Sequence, residues 1–194
     1  MKFRRDIPGW LHSNEINAIE RICGMVKDGR SVIEIGVFAG RTTQIFAQML
    51  PSSDIYCVDP WPTEGLPESW EGMTDYSGQS FEPANVLTIF RNEILHKFSN
   101  THEIIGYFPD VLETHSIENV GLIHWDTDTV HDKETTIKHF HKAWSMLPRG
   151  AILSGHTFAA WMPNVVDSVR HFAIEVNADV VLPPSTSIWY MVKN

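Results

Sequence analysis

The stretch Ser31 to Gly40, SVIEIGVFAG, constrains the fold more than any other part of the chain. An apolar run, Val32, Ile33 and Ile35, carries one acid, Glu34, and goes straight into Gly36-x-x-x-Gly40. Helical spacing then starts at Arg41-Thr42-Thr43, with Ile45, Phe46, Met49 and Leu50 on one face. This reads as a strand, a tight glycine turn and a helix N-terminus. A second short apolar run, Asp54 to Val58, stops at Asp59, about twenty residues beyond the turn, where the acid of a nucleotide-binding βαβ unit meets ribose hydroxyls. Together the two features imply a site for a nucleoside-containing cofactor.

What the turn lacks narrows the choice. A dinucleotide site needs G-x-G-x-x-G, because the second glycine lets the backbone close on a pyrophosphate whose charge the helix N-terminus takes. Here the second position is Phe38, which suits a ligand without phosphate and leaves an NAD-dependent oxidoreductase the poorest reading. The glycines alone would equally fit a strand-to-helix turn in an unrelated α/β protein. The E-x-G-x-x-x-G turn nevertheless resembles motif I of class I S-adenosylmethionine-dependent methyltransferases. That resemblance implies S-adenosylmethionine as cofactor, held by Glu34, Gly36, Val37, Phe38, Gly40, Thr42, Asp59, Trp61 and Asp126.

The resemblance extends along the chain. Ile7 to Trp10 form a Pro-Gly turn, Ser13 or Asn14 can cap a helix with Ile16, Ile19, Ile22 and Val26 at helical spacing, and Asp28-Gly29 ends it. This opening, followed by VIEIGVFAGRTT, resembles the small stand-alone domains of methyltransferase family 24, and the Asp59-Pro60-Trp61 triplet fits the same group. Three departures accompany the match. Where related enzymes place a G-[DN]-[SA] turn on adenine, this chain has Gly106-Tyr107-Phe108-Pro109-Asp110, and Asp110 reads equally as a substitute or as a helix cap. Asp126 and Asp128 match an I-D-x-D-H-x-Y-like stretch in which Thr129 replaces the histidine. Gly155-His156-Thr157-Phe158 keeps the histidine of G-H-D-[YF] but replaces the acid.

Strands are expected at Ser31 onward, Asp54 to Val58, His102 to Gly106, Val120 to Asp126, Ala151 to Ser154, Asp179 to Leu182 and Ser187 to Val192, the last two joined by a Pro-Pro turn. A helix is expected from about Pro83 to Phe98. The aperiodic segment from Trp61 to Phe81 reads as a ligand-covering lid. Residues 1–194 thus predict one α/β domain, a Rossmann-like doubly wound seven-stranded sheet, mostly parallel, with a C-terminal antiparallel hairpin.

Net charge is −9 and no block of basic residues occurs, which argues against a nucleic-acid polymer as partner, since such polymers are bound by Lys/Arg neutralisation. No apolar run approaches the ~20 residues that span a bilayer, and Met1 to Pro8 lacks the apolar segment of a signal peptide. A cytoplasmic protein without membrane contact is the expectation. Cys23 and Cys57 read as buried free thiols of a reducing compartment. A homodimer is implied by family resemblance alone.

In an open α/β sheet the ligand crevice lies at the carboxyl ends of neighbouring strands, here Gly36 to Gly40, Asp126 to Asp128 and His156. Methyl transfer is an in-line displacement at an activated sulfonium carbon, so the protein mainly aligns the nucleophile and excludes water. If the small-molecule acceptor reacts at a hydroxyl, His156 is the first candidate for its base, because imidazole titrates near neutrality. Asp126 and Asp128 could alternatively supply oxygen ligands to a divalent metal such as Mg²⁺, a reading that Thr157 weakens. His139 and His141 lie two apart on a helix, face apart, and read as solvated surface residues; His124 reads as packed within a strand. The alternatives to a methyltransferase are a noncatalytic module that retains the cofactor fold, and a metal-dependent hydroxylase using the Asp126/His156 corner.

Overall fold

The computed structural model describes residues 3–61, 85–127 and 132–194. From residue 62 on, the expected lid lies outside the described residues, as do Asp128, Thr129 and His131. Six strands form one sheet: β1 (Ser31–Ile35), β2 (Ile55–Asp59), β3 (Thr101–Ile105), β4 (Val120–Trp125), β5 (Ile152–Gly155) and β6 (Trp189–Val192), in the order β3-β2-β1-β4-β5-β6. All pairings are parallel except β5 with β6. The helices are α1 (Ser13–Cys23), α2 (Thr43–Met49), α3 (Val86–Phe90), α4 (Lys133–Met146) and α5 (Pro163–Glu175), with a π-helical turn at Arg91–Leu95 continuing α3.

Every residue of β1 and β4 is buried, as a parallel sheet covered on both faces requires. Alternation sorts the side chains. Val32, Ile55 and Leu122 pack with Ile19, Phe46 and Phe90, under α1, α2 and α3. Ile33, Ile123 and Leu153 pack with Phe140 and Phe172, under α4 and α5. Phe140 is the hub of the second layer, its ring 5.2 Å from Trp125 and 5.5 Å from both Phe172 and Trp189, centroid to centroid. Among the described residues no helix is long and apolar enough to cross a membrane. Both cysteines are free and buried.

Three expectations are corrected. The sheet has six strands rather than seven: the stretch expected as Asp179 to Leu182 contributes one bridge, with Val181 N–H donating to Tyr190 O at 2.9 Å and Tyr190 N–H returning the bond at 3.0 Å. The prolines at 183 and 184 have no N–H to extend it. The cap of α1 is His12, not Ser13 or Asn14, because the Glu15 carboxylate reaches back to accept His12 N–H at 2.8 Å. That helix ends at Cys23, with Gly24 as its cap, before Asp28-Gly29.

Phe140→Ala is expected to destabilise the protein by roughly 3–5 kcal/mol, the range for emptying a buried aromatic site. Urea unfolding monitored by tryptophan fluorescence measures it, and a loss below about 1 kcal/mol would show that the four rings do not depend on one another.

Candidate active site

The chain leaves β1 toward β2 and β3, then returns to β4 on the other side of β1. The carboxyl ends of β1 and β4 therefore flank the switch point where such sheets bind ligands. Gly36 follows β1 at φ +84°, and a Cβ there would stand 2.3 Å from the carbonyl oxygen of Asp126, the residue that follows β4. Only glycine lets the two strand ends approach this closely. The second motif glycine answers a different demand. A Cβ on Gly40 would stand 2.6 Å from Ile94 Cγ1 and 2.9 Å from Phe90 Cδ2, so Gly40 admits α3 and its π-helical turn.

Around Gly36 lies a cavity of about 410 Å³, lined by Pro8, Trp10 and Leu11, by Val37, Phe38 and Thr42 of the glycine turn, and by Asp126, His156, Thr157, Trp161, Met162 and Ser187. The N-terminal segment is tied across it by Arg41, just before α2, and by Gln44 within it: Arg41, itself buried, donates to the carbonyls of Gly9 and Arg5, and Gln44 to that of Arg4. Trp10 lies against Phe38 at 5.4 Å between ring centroids, and Trp161, 73% exposed, stands at the rim. Phe38 and Thr157 hold φ of +53° and +60°, a left-handed conformation uncommon for residues with a Cβ and clustered at functional sites.

His156 is buried between two acids. Its Nδ1 lies 3.2 Å from Asp126 Oδ1 and its Nε2 lies 3.1 Å from Glu15 Oε1. Both ring nitrogens face carboxylate oxygens, so both must donate, and only the imidazolium can do that. Burial opposes the charge, but Asp126 and Glu15 outweigh it and raise His156 to about 10. For Glu15 burial works upward, and the bonds to His156, Ser187 and His12 reverse it, bringing the carboxyl down to about 2. An imidazolium so held has no lone pair for a proton or a metal, which speaks against the general-base role expected for this ring. Asp126 is the carboxylate that lines the cavity, its side chain 24% exposed.

Other predicted site residues fall elsewhere. Glu34 points to the α1/α2 face, where its Oε2 accepts the Thr43 hydroxyl at 2.6 Å; it is 1% exposed, and burial raises its carboxyl well above the usual range. Asp59 lines neither this cavity nor the small cleft beside Gly106 and Tyr107. It clasps the glycine turn: Oδ2 accepts Val37 N–H at 2.8 Å and Phe38 N–H at 3.0 Å, and Oδ1 accepts Trp61 N–H at 2.8 Å. Burial pushes its carboxyl up against these bonds. Trp61 is buried, stacked on Phe90, with its indole N–H donating to Phe38 O at 2.8 Å. Asp110 is exposed and opens a short 3-10 turn, Asp110–Glu113. His124 is buried, bonded to Ser154 Oγ at 2.8 Å, and lowered to about 4 by burial. His139 is not a solvated residue: its ring packs against Trp125 and Phe108, whereas His141 is exposed and pairs with Glu175 at 2.9 Å.

Glu15, Ser187 and Arg41 were not legible as site residues. A Glu at the third helical position is a recognisable capping signal, yet nothing in its sequence neighbourhood points to a partner 141 residues away.

The family model described as a methyltransferase domain, methyltransferase family 24, matches residues 33–158, well over half of the chain. The chain belongs to this methyltransferase family. Its fold is that of class I S-adenosylmethionine-dependent methyltransferases. The O-methyltransferase NovP is similar with a TM-score of 0.67 and 16% identity, covering 93% of this chain and 80% of its own. An O-methyltransferase from Bacillus cereus, solved with SAH, gives 0.63 and 16%, covering 97% and 85%. An rRNA methylase from Streptococcus thermophilus gives 0.61 and 15%, covering 91% and 94%. No curated protein matches the chain. The matched range leaves out Glu15 and Ser187, so two members of this methyltransferase's buried polar cluster lie outside the family model.

The cluster makes stability pH-dependent in a defined direction. The Glu15 contribution, with its carboxyl at about 2 rather than 4.5, is complete above pH 4.5 and is lost as pH falls toward 2. The His156 contribution, with the ring at about 10 rather than 6.5, is complete below pH 6.5 and is lost as pH rises through 10. The stability difference between wild type and His156→Asn, from urea unfolding at stepped pH, is expected to be greatest between pH 4.5 and 6.5 and to shrink toward pH 10. A flat difference would show that His156 is neutral in the folded protein.

Proposed function

We propose that this chain is an S-adenosylmethionine-dependent methyltransferase that methylates a small molecule at a hydroxyl. One observation carries the reading: the Asp126 carboxylate, steadied on one oxygen by His156, opens onto a cavity at the β1/β4 switch point. The residues present fit the cofactor. Asp126 offers an anionic acceptor to its ammonium group, and the aromatic faces of Trp10 and Phe38 suit a sulfonium cation. Asp59 has three of about four carboxylate lone-pair sites filled, which leaves capacity for a ribose hydroxyl. The cavity volume lies within the ~300–1,000 Å³ of small-ligand sites.

When bound, S-adenosylmethionine supplies a methyl group already activated by its positive sulfur. This chain's own residues align the acceptor against it and exclude water. Trp10, Leu11, Phe38 and Met162 give the cavity apolar walls, and Asp126 is the only acid among its described lining residues. A divalent ion is left out of this reading: Asp126 already faces the His156 cation, and among the described residues no group of three or more His, Cys, Asp or Glu could hold one. The hydroxylase alternative is the weaker one, because both ring nitrogens of His156 face carboxylate oxygens. The negative net charge and the small cavity favour a small acceptor over RNA; a homodimer completes the reading by resemblance.

Calorimetric titration with S-adenosylmethionine tests the cofactor site. Asp126→Asn is expected to weaken binding at least tenfold, the equivalent of about 1.4 kcal/mol for one charge-assisted hydrogen bond. If a folded wild-type protein binds neither S-adenosylmethionine nor S-adenosylhomocysteine, the noncatalytic module takes first place. Transfer of labelled methyl to RNA rather than to small hydroxylated compounds would overturn the acceptor class.

A further inference from the structure

Glu15 does not line the cavity, yet it is 4% exposed and fully committed to its wall. Its Oε1 accepts the Ser187 hydroxyl at 2.6 Å, Ser187 N–H at 3.2 Å and the His156 ring at 3.1 Å. Its Oε2 accepts His12 N–H at 2.8 Å. One carboxylate therefore joins the start of α1, the residue after β5 and the approach to β6. A capping role would need only the bond to His12.

The remaining bonds converge on the imidazole that holds Asp126. Rotation of the His156 ring about its bond to the chain would break two charge-assisted bonds at once, one to each acid. Removal of Glu15 would leave one buried nitrogen without a partner and would remove one of the two acids that keep the ring charged. A neutral ring can present a lone pair to Asp126 and repel it. Among the described residues, the orientation of the one carboxylate that lines the cavity therefore depends on a residue of the N-terminal helix, outside the range matched by the family model.

We infer that Glu15 is a positioning residue for cofactor binding, acting through His156 to orient the Asp126 carboxylate. This rests on the reading of Asp126 as the acceptor for the cofactor's ammonium group. Glu15 serves as the fixed end of a three-residue chain, Glu15 to His156 to Asp126, whose free end meets the ligand.

A double-variant cycle tests it, with S-adenosylmethionine as the calorimetric probe and thermal melts confirming the fold. Glu15→Gln is expected to weaken binding about tenfold, close to the loss in Asp126→Asn. The double variant is expected to bind no more weakly than Asp126→Asn alone, because a residue that acts only through Asp126 has nothing left to act on. If Glu15→Gln does not fold, His156→Gln cuts the same chain at its middle and is expected to show the same loss and the same masking by Asp126→Asn. Unchanged affinity in the folded single variant, or losses that multiply in the double variant, overturns the inference. Unchanged affinity in Asp126→Asn, with wild-type binding intact, overturns the reading of Asp126 and the inference with it.

Discussion

The site exists because β1 and β4 can bring their carboxyl ends together over a residue without a side chain. At Gly36 any Cβ would collide with the Asp126 carbonyl, and relieving that collision would push apart the two central strands of the sheet. Everything that lines the cavity hangs from this approach. The glycine turn leads into α2, Arg41 before that helix and Gln44 within it tie down the N-terminal segment, and Asp126 projects from the other strand toward His156 at the end of β5.

Close approach of strand ends buries charge, and the structure handles that in two ways. Beside the cavity, His156 sits between Glu15 and Asp126 as a cation flanked by anions, so two carboxylates share one neutralising partner and every hydrogen-bonding position on the ring is filled. A buried charge would otherwise cost several kcal/mol. One layer away, among the described residues, Glu34 has the Thr43 hydroxyl and no cation as hydrogen-bond partner, and burial raises its carboxyl well above the usual range. The same chemical group is charged in one place and driven toward neutrality in the other, and the difference is whether a cation lies within hydrogen-bonding reach.

The aromatic content of the chain divides on the same boundary. Trp61, Trp125 and Trp189 are buried and stack on other rings or meet them edge-on, giving the layers rigidity. Trp10 and Trp161 stand at the cavity, with Trp161 largely in solvent. Trp61 was expected at the cofactor because it follows Asp59, but a left-handed backbone at φ +35° turns it inward onto Phe90 and aims its N–H at the glycine turn. Asp59 has both of its oxygens engaged by backbone N–H groups of the glycine turn and of Trp61.

The sequence by itself determined the layered α/β architecture, the strand-turn-helix at residues 31–43 and the family. Each of these depends on local periodicity and on glycine at positions where nothing else fits, and both are written in consecutive residues. It also located Asp126 and His156 at strand ends. It overstated the sheet by one strand, because the apolar stretch at 179–182 has strand composition while the prolines after it deny it a ladder. Tertiary structure alone decided the pairing of His156 with two acids, the clasp of Asp59 on the glycine turn, the inward turn of Trp61, and the meeting of Glu15 with Ser187. Those outcomes depend on which groups meet across 141 and 172 residues of chain, and protonation follows the partners that folding supplies rather than the identity of the side chain.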